Sequence, residues 1–243
     1  MYGSGVILIL IFISSIPVII VFIWLRAGKY QFSIARFFFA LLAGATAVFP
    51  ALILQRYLAL SFTVRGRAAV FYEFFVRIAL AEEISRLIIM IIFFWISGLL
   101  KREDGITKNL SFRAINKATA AGLIAGLGFA IIESAGYGAA SMDMGLILRR
   151  FFTAALHAAC GARIGAAAVL FRTSPIQAIM RIITATAIHG VYNMMIGLPG
   201  VPSIAAIMIA VSALISSISA IRGGWNEDTA SSADTSAALD KNK

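Results

Sequence analysis

Apolar runs of about 20 residues alternate along the chain with short polar or charged stretches, at 6–25, 37–54, 79–100, 119–139, 151–171, 176–197 and 201–221. A bilayer core about 30 Å thick takes roughly 20 apolar residues of helix, so each run is long enough to cross. The pattern predicts an all-α fold, a polytopic membrane helix bundle of about seven transmembrane helices. The first run lacks a basic stretch before it and is followed by Arg26 and Lys29 rather than a small-residue cleavage site, so it reads as an uncleaved first span. Between Ser61 and Arg77 the pattern is mixed, with Arg65, Arg67 and Glu73 among aromatics, which suggests an interfacial helix leading into the third span. After Arg222 the periodicity stops in WNEDTASSADTSAALDKNK. Residues 1–225 therefore read as one transmembrane domain with its core at 77–197, and 226–243 as a disordered cytoplasmic tail.

Composition agrees with the pattern: 60% of residues are hydrophobic, 13% are charged, and mean hydropathy is +0.93. An ordinary soluble domain is excluded by these values. The net charge of +10 would suggest nucleic acid in a soluble protein. Here the Lys and Arg residues lie mostly between apolar runs and set topology, so the bilayer is the expected partner and nucleic acid is not. Loops after spans one, three and five carry the heavier basic load, as in the charged segment 101–117. That asymmetry predicts the N-terminus outside and the C-terminus in the cytoplasm, although Arg56, Arg65 and Arg67 fall on the outer side. The single cysteine, Cys160, excludes an intramolecular disulfide and reads as packing material.

Ionisable residues inside apolar runs are where chemistry is expected, because each is costly there. Glu82, Glu83 and Arg86 head the third run, three and four residues apart, so one arginine can reach either carboxylate. Burial beside a second carboxylate makes a glutamate a usable general base. The alternative is a charge cluster at a helix start, neutralised by Arg86 and the helix dipole. Glu133 follows Phe129 by four residues in GFAIIESAGY, where it can polarise a histidine, bind a metal or pair with Arg163 or Arg86. The only two histidines, His157 and His189, both fall within runs, and Asn193 lies one turn after His189. Counted along helices of alternating direction, these residues lie roughly 6 to 12 Å from the outer ends of their spans. A common level in the outer half of the bilayer predicts one site.

A zinc shell of Glu82, Glu83, Glu133, His157 and His189 is the lesser reading, since no HExxH or other close ligand spacing is present, and no cofactor is expected. No GxSxG or paired cysteine nucleophile presents itself. Buried Glu, His and Arg also mark proton- or ion-coupled transporters, which commonly show internal repeats, and none is found between the halves of this chain. A non-catalytic scaffold or bacteriocin-immunity protein is a third alternative.

The series EEISR at 82–86, FAIIE at 129–133, a histidine at His157 in an Ala/Gly-rich helix, and HGVYN at 189–193 resembles the PrsW family of glutamic-type intramembrane endopeptidases. That family shares a clan with CAAX prenyl proteases and bacteriocin-processing enzymes. Glu133, where the CAAX branch usually has histidine, favours the PrsW branch, and Arg86 stands where a lysine is usual. The resemblance implies hydrolysis of a peptide bond of a single-span membrane protein, characteristically an anti-sigma factor, in the bacterial cytoplasmic membrane. It implies Glu82 or Glu83 as water-activating base and His189 with Asn193 as oxyanion donors. His157 would position the water or assist the leaving amine, with Arg86, Phe129 and Glu133 in support. Oligomeric state is not legible in the chain.

Overall fold

The computed structural model describes residues 3–28, 32–62, 64–97, 112–136, 144–197 and 203–240, and every regular element among them is helical. In chain order these are α1 (Gly3–Ala27), α2 (Ile34–Thr46), α3 (Val48–Ser61), α4 (Arg67–Phe71), a π-helical segment (Tyr72–Leu80), α5 (Ala81–Ile96), α6 (Phe112–Gly136), α7 (Met144–Leu170), α8 (Pro175–Gly197) and α9 (Ser203–Asp240). The expected all-α bundle is what forms. Six stretches are long and apolar enough to cross a membrane: Gly5–Ala27, Ile34–Ser61, Ala114–Gly136, Arg149–Leu170, Pro175–Gly197 and Ile204–Gly223. The chain is a multi-pass membrane protein.

Of the seven apolar runs, all but the third meet these criteria of length and composition. The third run is part of a continuous helical rod, 67–96, made of α4, the π-helical segment and α5. Glu73, Arg77, Glu82, Glu83 and Arg86 make it too polar to qualify, and α5 alone has 16 residues. The interfacial helix expected before the third span is the start of the same rod. The second run is longer than read and carries a break at Ala47, between α2 and α3. Pro50 explains the break, since it has no N–H to give to Thr46 and its ring crowds that carbonyl. The backbone of α9 is helical to Asp240, which differs from the tail read for 226–243; that stretch holds no proline, and its alanines tolerate a helix. The read ends of the third and fourth runs, and most of the charged loop 101–117, lie outside the described residues.

α6 and α7 form the centre of the bundle. Of their most apolar windows, 78% and 94% are buried, against 28% for α1, α8 and α9. Glycine makes that contact close. A Cβ on Gly122, Gly126, Gly161 or Gly165 would overlap backbone of the facing helix, and at Gly126 the overlapped group is the carbonyl of His157. On the outside, Phe12, Phe39, Phe49, Ile53, Leu60 and Ile176 are exposed, as expected for surfaces that meet lipid rather than water.

Candidate active site

Five elements deliver polar side chains to one buried point. The first two turns of α5 supply Glu82, Glu83 and Arg86, α3 supplies Gln55, α6 supplies Phe129 and Glu133, α7 supplies His157 and α8 supplies His189. Glu83, Arg86, His157 and His189 are at most 1% exposed, and Glu82 is 5% exposed. Charged groups buried to this degree persist only where they satisfy one another.

Glu83 Oε1 is the hub. It accepts from Arg86 Nη2 at 2.8 Å and from His189 Nδ1 at 2.7 Å. Arg86 also reaches His157 Nδ1 at 3.1 Å, and its guanidinium carbon lies 4.6 Å from the centre of the Phe129 ring. A guanidinium only donates, so His157 Nδ1 accepts, and Nε2 carries the proton given to Glu133 Oε2 at 2.8 Å. Arg150 stands 3.6 Å from the other oxygen of Glu133. The same reasoning fixes His189: Nδ1 donates to Glu83, so in the neutral ring Nε2 holds a lone pair.

That lone pair faces a second one. Glu82 Oε1 accepts from Gln55 Nε2 at 2.9 Å, while Glu82 Oε2 has no hydrogen-bond partner and lies 3.6 Å from His189 Nε2. Two acceptors facing each other in a buried gap require something positive between them. The charge balance agrees, because three carboxylates (Glu82, Glu83, Glu133) meet two guanidiniums (Arg86, Arg150). A proton or a metal cation satisfies the gap. Two ligands at about 2.0 to 2.1 Å from a tetrahedral zinc are about 3.3 Å apart, close to the observed separation. Glu82, His157 and His189 present ligand atoms within 4.8 Å of one another, and they fit a divalent cation once His157 Nδ1 exchanges its bond from Arg86 for the metal. The donation from His189 Nδ1 to Glu83 is the carboxylate–histidine arrangement that orients metal ligands.

Seven of the eight residues singled out from the sequence meet here, and one does not. Asn193 is half-buried one turn after His189 and makes no hydrogen bond to these side chains. The pair suggested between Glu133 and Arg163 or Arg86 is made instead with Arg150, while Arg163 bonds Ser217 of α9. The common level holds but its depth shifts. Because α7 begins at Met144, His157 falls at its midpoint, and Glu82 and Glu83 fall at the middle of the rod 67–96. Sequence reasoning missed Gln55 and Arg150. Gln55 falls just past the apolar run 37–54 but lies inside α3, and Arg150 falls just before the run 151–171 but sits seven residues, about two turns, before His157 on the same face of α7.

No curated protein and no solved structure matches the chain. A family model described as PrsW family intramembrane metalloprotease matches residues 33–218, about three quarters of the chain, and spans every residue of the cluster. The chain therefore belongs to the PrsW family and is a membrane protease.

Proposed function

We propose that the buried Glu/His cluster hydrolyses a peptide bond in a single-span membrane protein, with a divalent cation held by Glu82, His157 and His189. The observation that carries this reading is Glu82 Oε2, which accepts no hydrogen bond and faces His189 Nε2 at 3.6 Å, with His157 beside both. The metal reading, secondary on sequence, is supported further by the metalloprotease description of the family. Such a cation makes bound water acidic and polarises a carbonyl.

The chain's own residues supply the rest. Glu83 Oε2 is buried and has no hydrogen-bond partner, so it is the atom placed to take a proton from the attacking water. Its Oε1 holds His189 in one tautomer, and Arg86 compensates its charge. Glu133 and Arg150 do for His157 what Glu83 does for His189. The Asn193 carboxamide, unengaged by this cluster, is available one turn from His189 to donate to the oxyanion that forms at the scissile carbonyl.

The experiment is cleavage of single-span substrates by purified protein in liposomes, before and after chelation and with metal content measured. Chelation should abolish cleavage, one equivalent of zinc should restore it, and Glu82→Gln and His189→Ala should lose metal and activity together. Full cleavage by metal-free protein would replace this reading with a glutamate-only mechanism, and ion flux without cleavage would make the chain a transporter.

A further inference from the structure

Glu82, Glu83, His157 and His189 are at most 5% exposed, so a scissile carbonyl reaches them only if a neighbouring helix moves aside. The helices around the cluster are not equally free to do so. α6 and α7 meet through glycines, and α2 is seated on α6 in the same way: a Cβ on Gly44 would overlap backbone of Ala125, and one on Gly128 would overlap backbone of Leu41. α8 is held to the rod 67–96 by Phe75 against Gly190 and Phe74 against Gly197. Seams this close open only by losing their contacts along whole helices.

α3 is attached differently. Of its 14 residues only Val48 and Ala51, near its start, are buried, and none from Leu52 to Ser61 is. Leu54, Gln55 and Leu58, half-buried, mark the face it turns to the protein. Among the described residues, two side-chain hydrogen bonds hold that face to the rod: Gln55 Nε2 donates to Glu82 Oε1 at 2.9 Å, and the Tyr72 hydroxyl donates to the Leu58 carbonyl at 3.0 Å. Each end of α3 is articulated. At its start the helix is broken at Ala47, where Pro50 gives the Thr46 carbonyl no donor. At its end the connection 62–66, with Gly66 at φ 66°, can stretch to about 17 Å.

We propose that α3 is a lateral gate: it turns outward about Ala47–Pro50, breaks these two bonds and admits an unwound segment of the substrate between itself and the rod. This rests on the protease reading above and says how a substrate held in the bilayer arrives. The gap opens directly onto Glu82, whose Oε1 is what Gln55 covers. Opening also frees one donor on each wall, Gln55 Nε2 on α3 and the Tyr72 hydroxyl on the rod. An unwound segment in an apolar surrounding carries carbonyls that need such donors, so the gate recognises extended backbone.

The test uses the full chain in liposomes, in a Cys160→Ala background. Phe62 and Tyr72, whose rings lie 6.1 Å apart, are replaced by cysteine and joined with a reducible bifunctional thiol reagent, which ties the end of α3 to the rod. The joined protein should cleave a single-span substrate at least tenfold more slowly than the same protein after reduction. In parallel, spin labels at the exposed Leu60 of α3 and Ile132 of α6 report the opening itself. Tyr72→Phe, which removes one of the two bonds, should raise the population of longer distances about fivefold, the worth of a neutral hydrogen bond. Pro50→Ala, which restores a donor for Thr46, should lower it. Equal cleavage by joined and reduced protein, or distances that neither variant alters, would overturn the gate. Absence of cleavage from the reduced protein would count against the protease reading instead, and the spin-label distances then decide the gate alone.

Discussion

Glu82 can leave one oxygen bare because Gln55 holds the other. A carboxylate in a dry site would otherwise rotate toward Arg86, which stands 3.7 Å from Oε2. Gln55 is thus a positioning residue, and Gln55→Leu should lower metal affinity and kcat together by about 10- to 100-fold, as loss of an outer-shell partner does elsewhere. Metal titration and liposome cleavage assays check this; wild-type values for both would remove Gln55 from the site. Glu133 sets a graded case. Glu133→Gln keeps an acceptor for His157 Nε2 but loses the charge opposite Arg150, whereas Glu133→Ala loses both. The glutamine variant should retain more activity than the alanine variant, with KM unchanged and kcat down about tenfold or more. If both are as inactive as Glu82→Gln, Glu133 acts on the substrate or the metal directly. Residue types inside apolar runs made most of this cluster legible, since Glu82, Glu83, Glu133, His157 and His189 are all costly there. Gln55 was not legible for the converse reason: an uncharged amide near a run's end costs little and looks like a boundary.

Helices bring these side chains together only because their backbones approach closely. The α6–α7 seam is glycine against glycine, with Gly126 seated on the carbonyl of His157 and Gly122 facing both Gly161 and Gly165. Gly126→Leu should therefore separate the helices and shift His157, costing about 1 to 3 kcal/mol as overpacking and abolishing cleavage. Gly136→Ala is the control, since a Cβ there meets nothing within 4 Å. Thermal melting and cleavage of both variants decide it, and a Gly126→Leu protein as active as wild type would refute the seam as the device that places His157. The small-residue ladder of α6 and α7 announced tight packing in the sequence. What hydropathy could not announce was the rod 67–96. Its π-helical stretch packs Phe75 against Gly190 and Phe74 against Gly197, so the register of Glu82 and Glu83 depends on contacts with α8 rather than on local pattern. The starts and ends of runs also misled: α7 extends to Met144, which moves His157 to mid-helix and brings Arg150 into it.

For the whole molecule, the number of crossings decides which side of the membrane the cluster's open end faces. Glu133, with a side chain 22% exposed, is the most accessible of the charged cluster groups, and it lies three residues from the end of α6 at Gly136. The six apolar stretches alone would put both termini on one side, whereas a crossing by the rod 67–96 makes seven and puts them on opposite sides. The rod favours seven, because its 30 helical residues are enough to span about 30 Å of hydrocarbon even at the tighter rise of the π turns. Its five charged residues from Glu73 to Arg86 pair with one another, and Glu82, Glu83 and Arg86 are buried in the protein. The basic loops then predict the N-terminus outside. In a Cys160→Ala background, Gly5→Cys and Gly136→Cys should react with a membrane-impermeant maleimide on intact cells. Arg172→Cys and Gly223→Cys should react only after permeabilisation. All four sites are exposed, and Gly5, Gly136 and Gly223 have no atom within 4 Å of an added Cβ, so labelling reports access rather than packing. Gly5 and Gly136 labelling from opposite sides would mean the rod does not cross. Both labelling only from inside would reverse the orientation and point the Glu133 end of the site at the cytoplasm.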